Sequence, residues 1–223
     1  MDEARTIHLR RPPVLATVPG VFVPERAPLD EVGRRWEAFR ASHPRAFDGR
    51  ILAVLGTSRN GHGGVQIHVQ ECAYRFYAVQ RDGPDLGVRS LGVKGIASDA
   101  RGFLMGRRSR SVAYYPGAWE FVPGGGLEPG VEPVAQLARE LREEAGLEIG
   151  REAATAPVAR ALLFDPGARS WEIVFRVTLD GRTPPEFGWE YNEMGFFPLD
   201  RLPEPLAPVA RAMAPIAAGA QPR

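Results

Sequence analysis

The sequence predicts an α/β protein. Runs with the two-residue apolar period of strands are interspersed with runs that carry the 3.6-residue period of amphipathic helices, and glycine- and proline-rich turns separate them. The chain is also large enough to bury a sizeable core: it has 223 residues, 44% of them apolar. That length suits one large domain or a core domain with a small neighbour.

The elements follow in order. Leu29 to Ser42 is predicted as a helix because Val32, Trp36 and Phe39 recur on one face, and Pro44 ends it. Phe47-Asp48-Gly49 turns the chain into a strand over Ile51–Leu55, and Asn60-Gly61-His62-Gly63-Gly64 reads as a hairpin or longer loop. Val65, Ile67 and Val69 alternate with Gln66, His68 and Gln70, as in a half-buried strand. The phase changes near Glu71, where Cys72, Tyr74 and Phe76 become the apolar set; a bulge or two separate strands would account for it. Asp82-Gly83-Pro84-Asp85 marks a boundary between an N-terminal α/β segment, residues 1–85, and a main domain, residues 86–223. Leu91 to Ala97 is a strand, Asp99 to Gly102 a turn, and Phe103 to Gly106 the returning strand. A helix over 133–145 is followed by a strand pair near Leu162 and at Trp171–Leu179. A last helix from about Pro205 to Ala218 would be interrupted by Pro208 and Pro215, and the tail Gln221-Pro222-Arg223 is expected to be loose.

Charge and composition exclude several classes. The net charge of +1 gives no reason to expect nucleic acid or an anionic membrane as partner. Lys94 is the only lysine, so nearly all positive charge is arginine. Cys72 is the only cysteine, which excludes an intrachain disulfide and a cysteine-based zinc site, and its strand-like neighbours suggest a buried thiol. No run approaches membrane-spanning length and Met1 to Arg5 lacks a signal-type apolar core, so a cytoplasmic location is expected.

The chemistry is concentrated in Pro123-Gly124-Gly125-Gly126-Leu127-Glu128-Pro129-Gly130-Val131-Glu132-Pro133, continuing to Arg139-Glu140-Leu141-Arg142-Glu143-Glu144-Ala145-Gly146-Leu147. Physically this is a glycine-rich loop, a short helix and a stop. Pro133 suits the first helical turn and Gly146 the left-handed position just past the end. Glu140, Glu143 and Glu144 are spaced i, i+3 and i+4 and project to one side. Adjacent carboxylates repel, and a hard divalent cation turns that liability into a ligand set for phosphate chemistry. Three glutamates alone would more readily be a solvated acidic face neutralised by Arg139 and Arg142; the glycine loop at this spacing reverses the balance in favour of the metal.

This pattern, a glycine pair, then a helix reading Arg-Glu-Leu-x-Glu-Glu-x-Gly-Leu, closely resembles the Nudix box. The resemblance implies a Nudix-like α/β/α sandwich with a mixed sheet, and a hydrolase. It implies Mg2+ as cofactor, with Mn2+ able to substitute, held by Glu140, Glu143 and Glu144 with Gly125 of the loop. It makes Arg139 a brace through a salt bridge, and Glu143, four residues on, is within reach. One departure stands out. The family's first box glutamate falls at Val131, and Glu132 lies one residue later, so either Glu132 serves or the loop is held otherwise. In Trp189-Glu190-Tyr191-Asn192-Glu193, before an aromatic-Pro-Leu strand, Glu193 or Glu190 is a candidate further ligand or general base.

Arg107, Arg108 and Arg110 beside the loop could receive phosphate oxygens, and Tyr114 or Tyr115 could stack on a base. Exposed basic residues at a strand end, and tyrosines packed beneath the loop, are the alternative. The run Arg107-Arg108-Ser109 before Pro116-Gly117, with Trp36 and Phe47-Asp48-Gly49 upstream, resembles the Nudix branch that hydrolyses UDP-glucose and UDP-galactose to UMP and a sugar 1-phosphate. Other nucleotides (ADP-ribose, a dinucleotide or a nucleoside triphosphate) and an inactive nucleotide-binding regulatory module are the competing readings. An isomerase of diphosphate-bearing lipid precursors would need a cysteine near the site. The expected partner is a small nucleotide, with no nucleic acid and no membrane, and a homodimer stays open.

Overall fold

The computed structural model describes residues 5–25, 28–59, 61, 63–149, 156–181 and 183–219. In chain order the strands are β1 (Arg5–His8), β2 (Val14–Phe22), β3 (Arg50–Arg59), β4 (Val65–Ala73), β5 (Ser90–Asp99), β6 (Gly102–Arg108), β7 (Trp119–Phe121), β8 (Gly124–Gly126), β9 (Val158–Asp165), β10 (Ser170–Thr178) and β11 (Tyr191–Phe197). The helices are α1 (Leu29–Ser42), α2 (Tyr74–Val79), α3 (Pro133–Ala145) and α4 (Pro208–Ala217). The strands form a mixed sheet ordered β1-β9-β10-β5-β3-β4-β2, with β8 paired to β5 and β6 paired to β5, β7 and β11. β10 runs parallel to β5 and β2 parallel to β4; the other pairings are antiparallel.

Alternation along β5 and β10 explains the layers. Leu91, Val93, Ile173 and Phe175 join Leu137 and Leu141 of α3 in one core. Ile96 and Val174, facing the other way, join Val209, Met213 and Ile216 of α4. The result is an α/β/α sandwich with the box helix against one face, as the resemblance implied. A third core holds Val32, Trp36 and Phe39 of α1 with Phe76, Tyr77 and Val79 of α2.

Three sequence expectations change. The phase switch near Glu71 is not a strand break: β4 continues to Ala73, its pairing shifts register between Val69 and Glu71 opposite the irregular stretch Thr17–Val21 of β2, and the chain then turns into α2, which places Phe76 on a helix. Pro208 does not interrupt the last helix but opens it at its first turn, where a missing N–H costs nothing; Pro215 is the one inside. The edge strands β1 and β2 were not expected, because β2 carries Pro19 and Gly20 and is mostly exposed, so it lacks the alternation that marks a strand. Asn60, His62 and the tail 221–223 lie outside the described residues.

Candidate active site

The loop and helix are held as their residues dictate. Pro133 opens α3, and Gly146 closes it with φ of 64°. The Gly146 N–H donates to the Arg142 carbonyl at 3.0 Å and the Leu147 N–H to the Leu141 carbonyl at 3.4 Å. β8 is glycine throughout, and at two of its three positions a neighbour occupies the space a Cβ would need; at Gly126 that space is open. At Gly125 a Cβ would overlap the Glu140 carboxyl, and at Gly124 it would overlap the Lys94 side chain. Glu140 is therefore seated directly on the glycine loop.

The helix glutamates divide rather than converge. Glu143 is exposed and Glu140 half-buried, whereas Glu144 is only 6% exposed and turns inward. The Gly124 N–H donates to Glu144 Oε2 at 2.9 Å, and the Tyr191 hydroxyl lies 3.1 Å from Glu144 Oε1. Burial pushes Glu144 well above the ordinary carboxylate range, against the pull of Lys94. Burial also raises Glu140, as does the neighbouring charge of Glu143 and Glu190, while a hydrogen bond from Gln136 opposes the rise. Among the described residues no group of three acidic, histidine or cysteine side chains stands ready-made around one metal position. The donors present are nonetheless hard oxygens in mutual repulsion, and Mg2+ needs few protein carboxylates because phosphates and waters complete its shell. The residues fit that ion.

Below the site lies a buried ionic cluster that the sequence did not reveal. Lys94 Nζ donates to Glu120 Oε2 at 2.7 Å, Arg108 donates to Glu120 Oε1, and the Tyr191 hydroxyl is 3.0 Å from the same oxygen. Burial alone would raise Glu120, but Lys94 and Arg108 outweigh it and hold the carboxyl down at about 2. The only available signal was a charged residue between the apolar Trp119 and Phe121 of β7.

The brace also differs from expectation. Arg139 does not pair with Glu143. Its guanidinium reaches Glu128 of the loop at 2.6 Å and the side-chain Oε1 of Gln136 at 2.7 Å, and Gln136 Nε2 donates to Glu140 Oε1 at 2.5 Å. Glu132 sits at the helix start in extended backbone and makes no capping hydrogen bond. Glu128 thus meets the arginine in place of Val131 or Glu132, and the chain of contacts ends on Glu140.

A cavity of about 1230 Å3 opens beside Glu140. Its walls come from α1 and the segment after it, from β3, from the loop after β6, from the glycine loop and from the Trp189-Glu190 turn. Of the expected substrate residues, Arg108 and Arg110 line it, although the Arg108 guanidinium is already engaged by Glu120 and the Tyr114 carbonyl. Arg107 is not in the wall: it points to Glu193 at 3.4 Å and to the Gly117 carbonyl. Tyr115, at φ of 51°, donates instead to Asp165 at 2.7 Å and packs toward α4, leaving Tyr114 as the cavity tyrosine. Of the two downstream acids Glu190, in the turn before β11, lines the cavity, and Glu193, on β11 beyond a register irregularity, is an exposed partner of Arg107. Cys72 is fully buried in the α1–α2 core and is not among the residues of this wall, although its neighbours Glu71 and Ile51 are, and burial raises its thiol to about 12.

The α/β/α sandwich seats helix carboxylates on a glycine loop beside a large cavity, an arrangement suited to holding a divalent cation next to a phosphate-bearing ligand. The NUDIX domain family model matches residues 88–217, more than half of the chain, and the chain belongs to this family of hydrolases. An uncharacterised Nudix hydrolase of Pseudomonas aeruginosa is 38% identical over 74 residues, 33% of this chain; the match spans only 42% of that relative's own length. Among solved structures, a MutT protein of Methanosarcina mazei is 19% identical and aligns over 58% of this chain and 92% of its own, with a TM-score of 0.46. A MutT Nudix hydrolase of Burkholderia pseudomallei aligns over 56% of this chain and 94% of its own at 23% identity, TM-score 0.43. An ADP-ribose pyrophosphatase of Streptococcus suis aligns over 59% and 92% at 22% identity, TM-score 0.40.

Proposed function

We propose that this Nudix hydrolase uses Mg2+ to cleave the phosphoanhydride linkage of a nucleoside diphosphate joined to a second group, with a UDP-sugar as leading substrate and UMP and a sugar 1-phosphate as products. The observation that carries the reading is Glu140, a carboxylate seated on Gly125 in the wall of a cavity that also exposes Arg110 and Glu190. Glu140 and Glu143 would hold the ion beside Gly125, and Glu144 joins them by giving up the Tyr191 hydroxyl. When bound, Mg2+ offsets the charge of the diphosphate and lowers the pKa of an attacking water. Glu190, raised by burial, accepts that water's proton; Arg110, which has no carboxylate partner among the described residues, receives phosphate oxygens. Residues 1–85 act as a lobe that walls the cavity, since Phe39, Phe47, Ile51 and Tyr74 all line it. The UDP-sugar rests on the resemblance carried by the Arg107-Arg108-Ser109 run, whose Arg107 lies outside the cavity wall, and on a cavity volume of about 1230 Å3.

The test is a panel of nucleoside diphosphate derivatives with Mg2+, with products read by mass. UMP and hexose phosphate from UDP-glucose are expected, abolished by EDTA and reduced on the order of 100-fold or more by Glu140→Gln. AMP and ribose 5-phosphate from ADP-ribose instead would keep the reaction and replace the substrate. Cleavage of no nucleotide derivative with either Mg2+ or Mn2+ would overturn the proposal.

A further inference from the structure

The cavity wall carries two chemically different sets of side chains. One is Glu140, Gln136 and Glu190; the other is aromatic and cationic and comes from segments far apart in sequence. Phe47 is 76% exposed and Trp189 46% exposed, and both line the cavity. Large aromatic side chains left in water in a concave wall mark a surface that a ligand covers. Phe47 is also held in place, because its ring lies over Gly49, where a Cβ would come within 2.6 Å of it.

Charge specifies the ligand further. The Arg45 guanidinium lies 4.6 Å from the centroid of the Trp189 ring, so the segment after α1 and the turn before β11 meet through a cation–π contact. Arg45, Arg50 and Arg110, all exposed and all in the wall, have no carboxylate partner among the described residues. Flat π faces and a guanidinium plane suit a planar ring, and unpaired arginines beside them suit the phosphates attached to it. An aliphatic chain would use neither the guanidinium planes nor their charge.

We propose that Phe47, Trp189 and Arg45 form the nucleobase end of the cavity, so that the N-terminal segment holds the nucleoside while the box helix performs the cleavage. This rests on the cavity being the site of a nucleoside diphosphate derivative. Because a base stacks through its π face, the platform accepts purines and pyrimidines alike, and discrimination between them is weak.

The experiment is calorimetric titration of the full chain in EDTA, which separates binding from hydrolysis. UDP and ADP are the ligands, and inorganic pyrophosphate is the probe that lacks a base. Trp189→Ala and Phe47→Ala should each weaken both nucleotides by about tenfold or more and change pyrophosphate less than about twofold; Trp189→Phe should restore most of the loss. Both side chains are exposed, so truncation leaves the cores intact, and thermal melting checks that. Equal weakening of nucleotides and pyrophosphate, no weakening of either, or absence of nucleotide binding by the unaltered chain would overturn the inference. Nucleotide binding with the expected losses but no cleavage would sink the proposed reaction and leave the platform standing; cleavage without those losses would do the reverse.

Discussion

Replacing Glu120 with glutamine leaves two buried cations facing a neutral amide. In the native protein Glu120 is 2% exposed and takes hydrogen bonds from Lys94 and Arg108, with Lys94 itself 8% exposed. Removing one partner of a buried ionic cluster costs about 3–5 kcal/mol, because the remaining charges keep their desolvation penalty. A second route gives a similar size: a carboxyl held at about 2 instead of 4.5 contributes about 3 kcal/mol near neutral pH. For a chain of this length each kcal/mol moves the midpoint about 2–4 °C, so Glu120→Gln should lower Tm by about 6–20 °C. The pH dependence fixes the cause. The folded pKa is depressed, so the stabilisation is complete above 4.5 and is lost as pH falls through about 2. The gap between native protein and variant should therefore be widest near neutral pH, narrow below 4.5 and close near 2. Thermal melts followed by circular dichroism across that range are the assay. A neutral-pH difference below about 3 °C, or a gap that does not shrink in acid, would refute the reasoning.

Two further outcomes follow from neighbouring residues. Burial raises Glu172 to about 7 despite Lys94 nearby and a hydrogen bond from Ser170, so its stabilisation is full below 4.5 and is lost as pH rises through 7; Glu172→Gln should gain up to about 3 kcal/mol on the native protein between pH 4.5 and 8, and a gain independent of pH in denaturant titrations would count against this. At Gly125 the obstacle to a Cβ is the end of the flexible Glu140 side chain, so Gly125→Ala should shift Tm by no more than about 3 °C yet raise the Mg2+ concentration for half-maximal binding about tenfold; unchanged Mg2+ binding would show that Glu140 does not need its seat.

How far the sequence spoke can be judged from single residues. α1 and α3 are found at their predicted bounds, because each has a complete apolar face and unambiguous terminators: Pro44 beyond one, Pro133 and Gly146 around the other. The sandwich was legible only through the box, since β8 is glycine alone and carries no periodicity. α2 was misread because its six residues are too few to show a helical period after a strand. At the site, spacing put Glu140, Glu143 and Glu144 on one side of α3 but could not show that Glu144 turns inward, which depends on the Gly124 N–H and on Tyr191 from a distant strand. Spacing also suggested Glu143 for Arg139, whereas the loop folds Glu128 back onto it, a contact between residues eleven apart. Tyr114 and Tyr115 were indistinguishable in sequence; the positive φ of Tyr115 sends one to Asp165 and leaves the other in the cavity.

Lys94 has a further consequence. It is the only lysine of the chain, and its amine is sequestered with Glu120 under the glycine loop. Acylating reagents attack free, neutral amines, so this side chain stays inert while the sheet is closed and becomes reactive only when β5 and β7 separate. Every other basic side chain apart from four histidines is an arginine, whose guanidinium such reagents leave alone. Acylation at residue 94, told apart from the label on the α-amine by peptide mapping, thus times the opening of the protein's own centre.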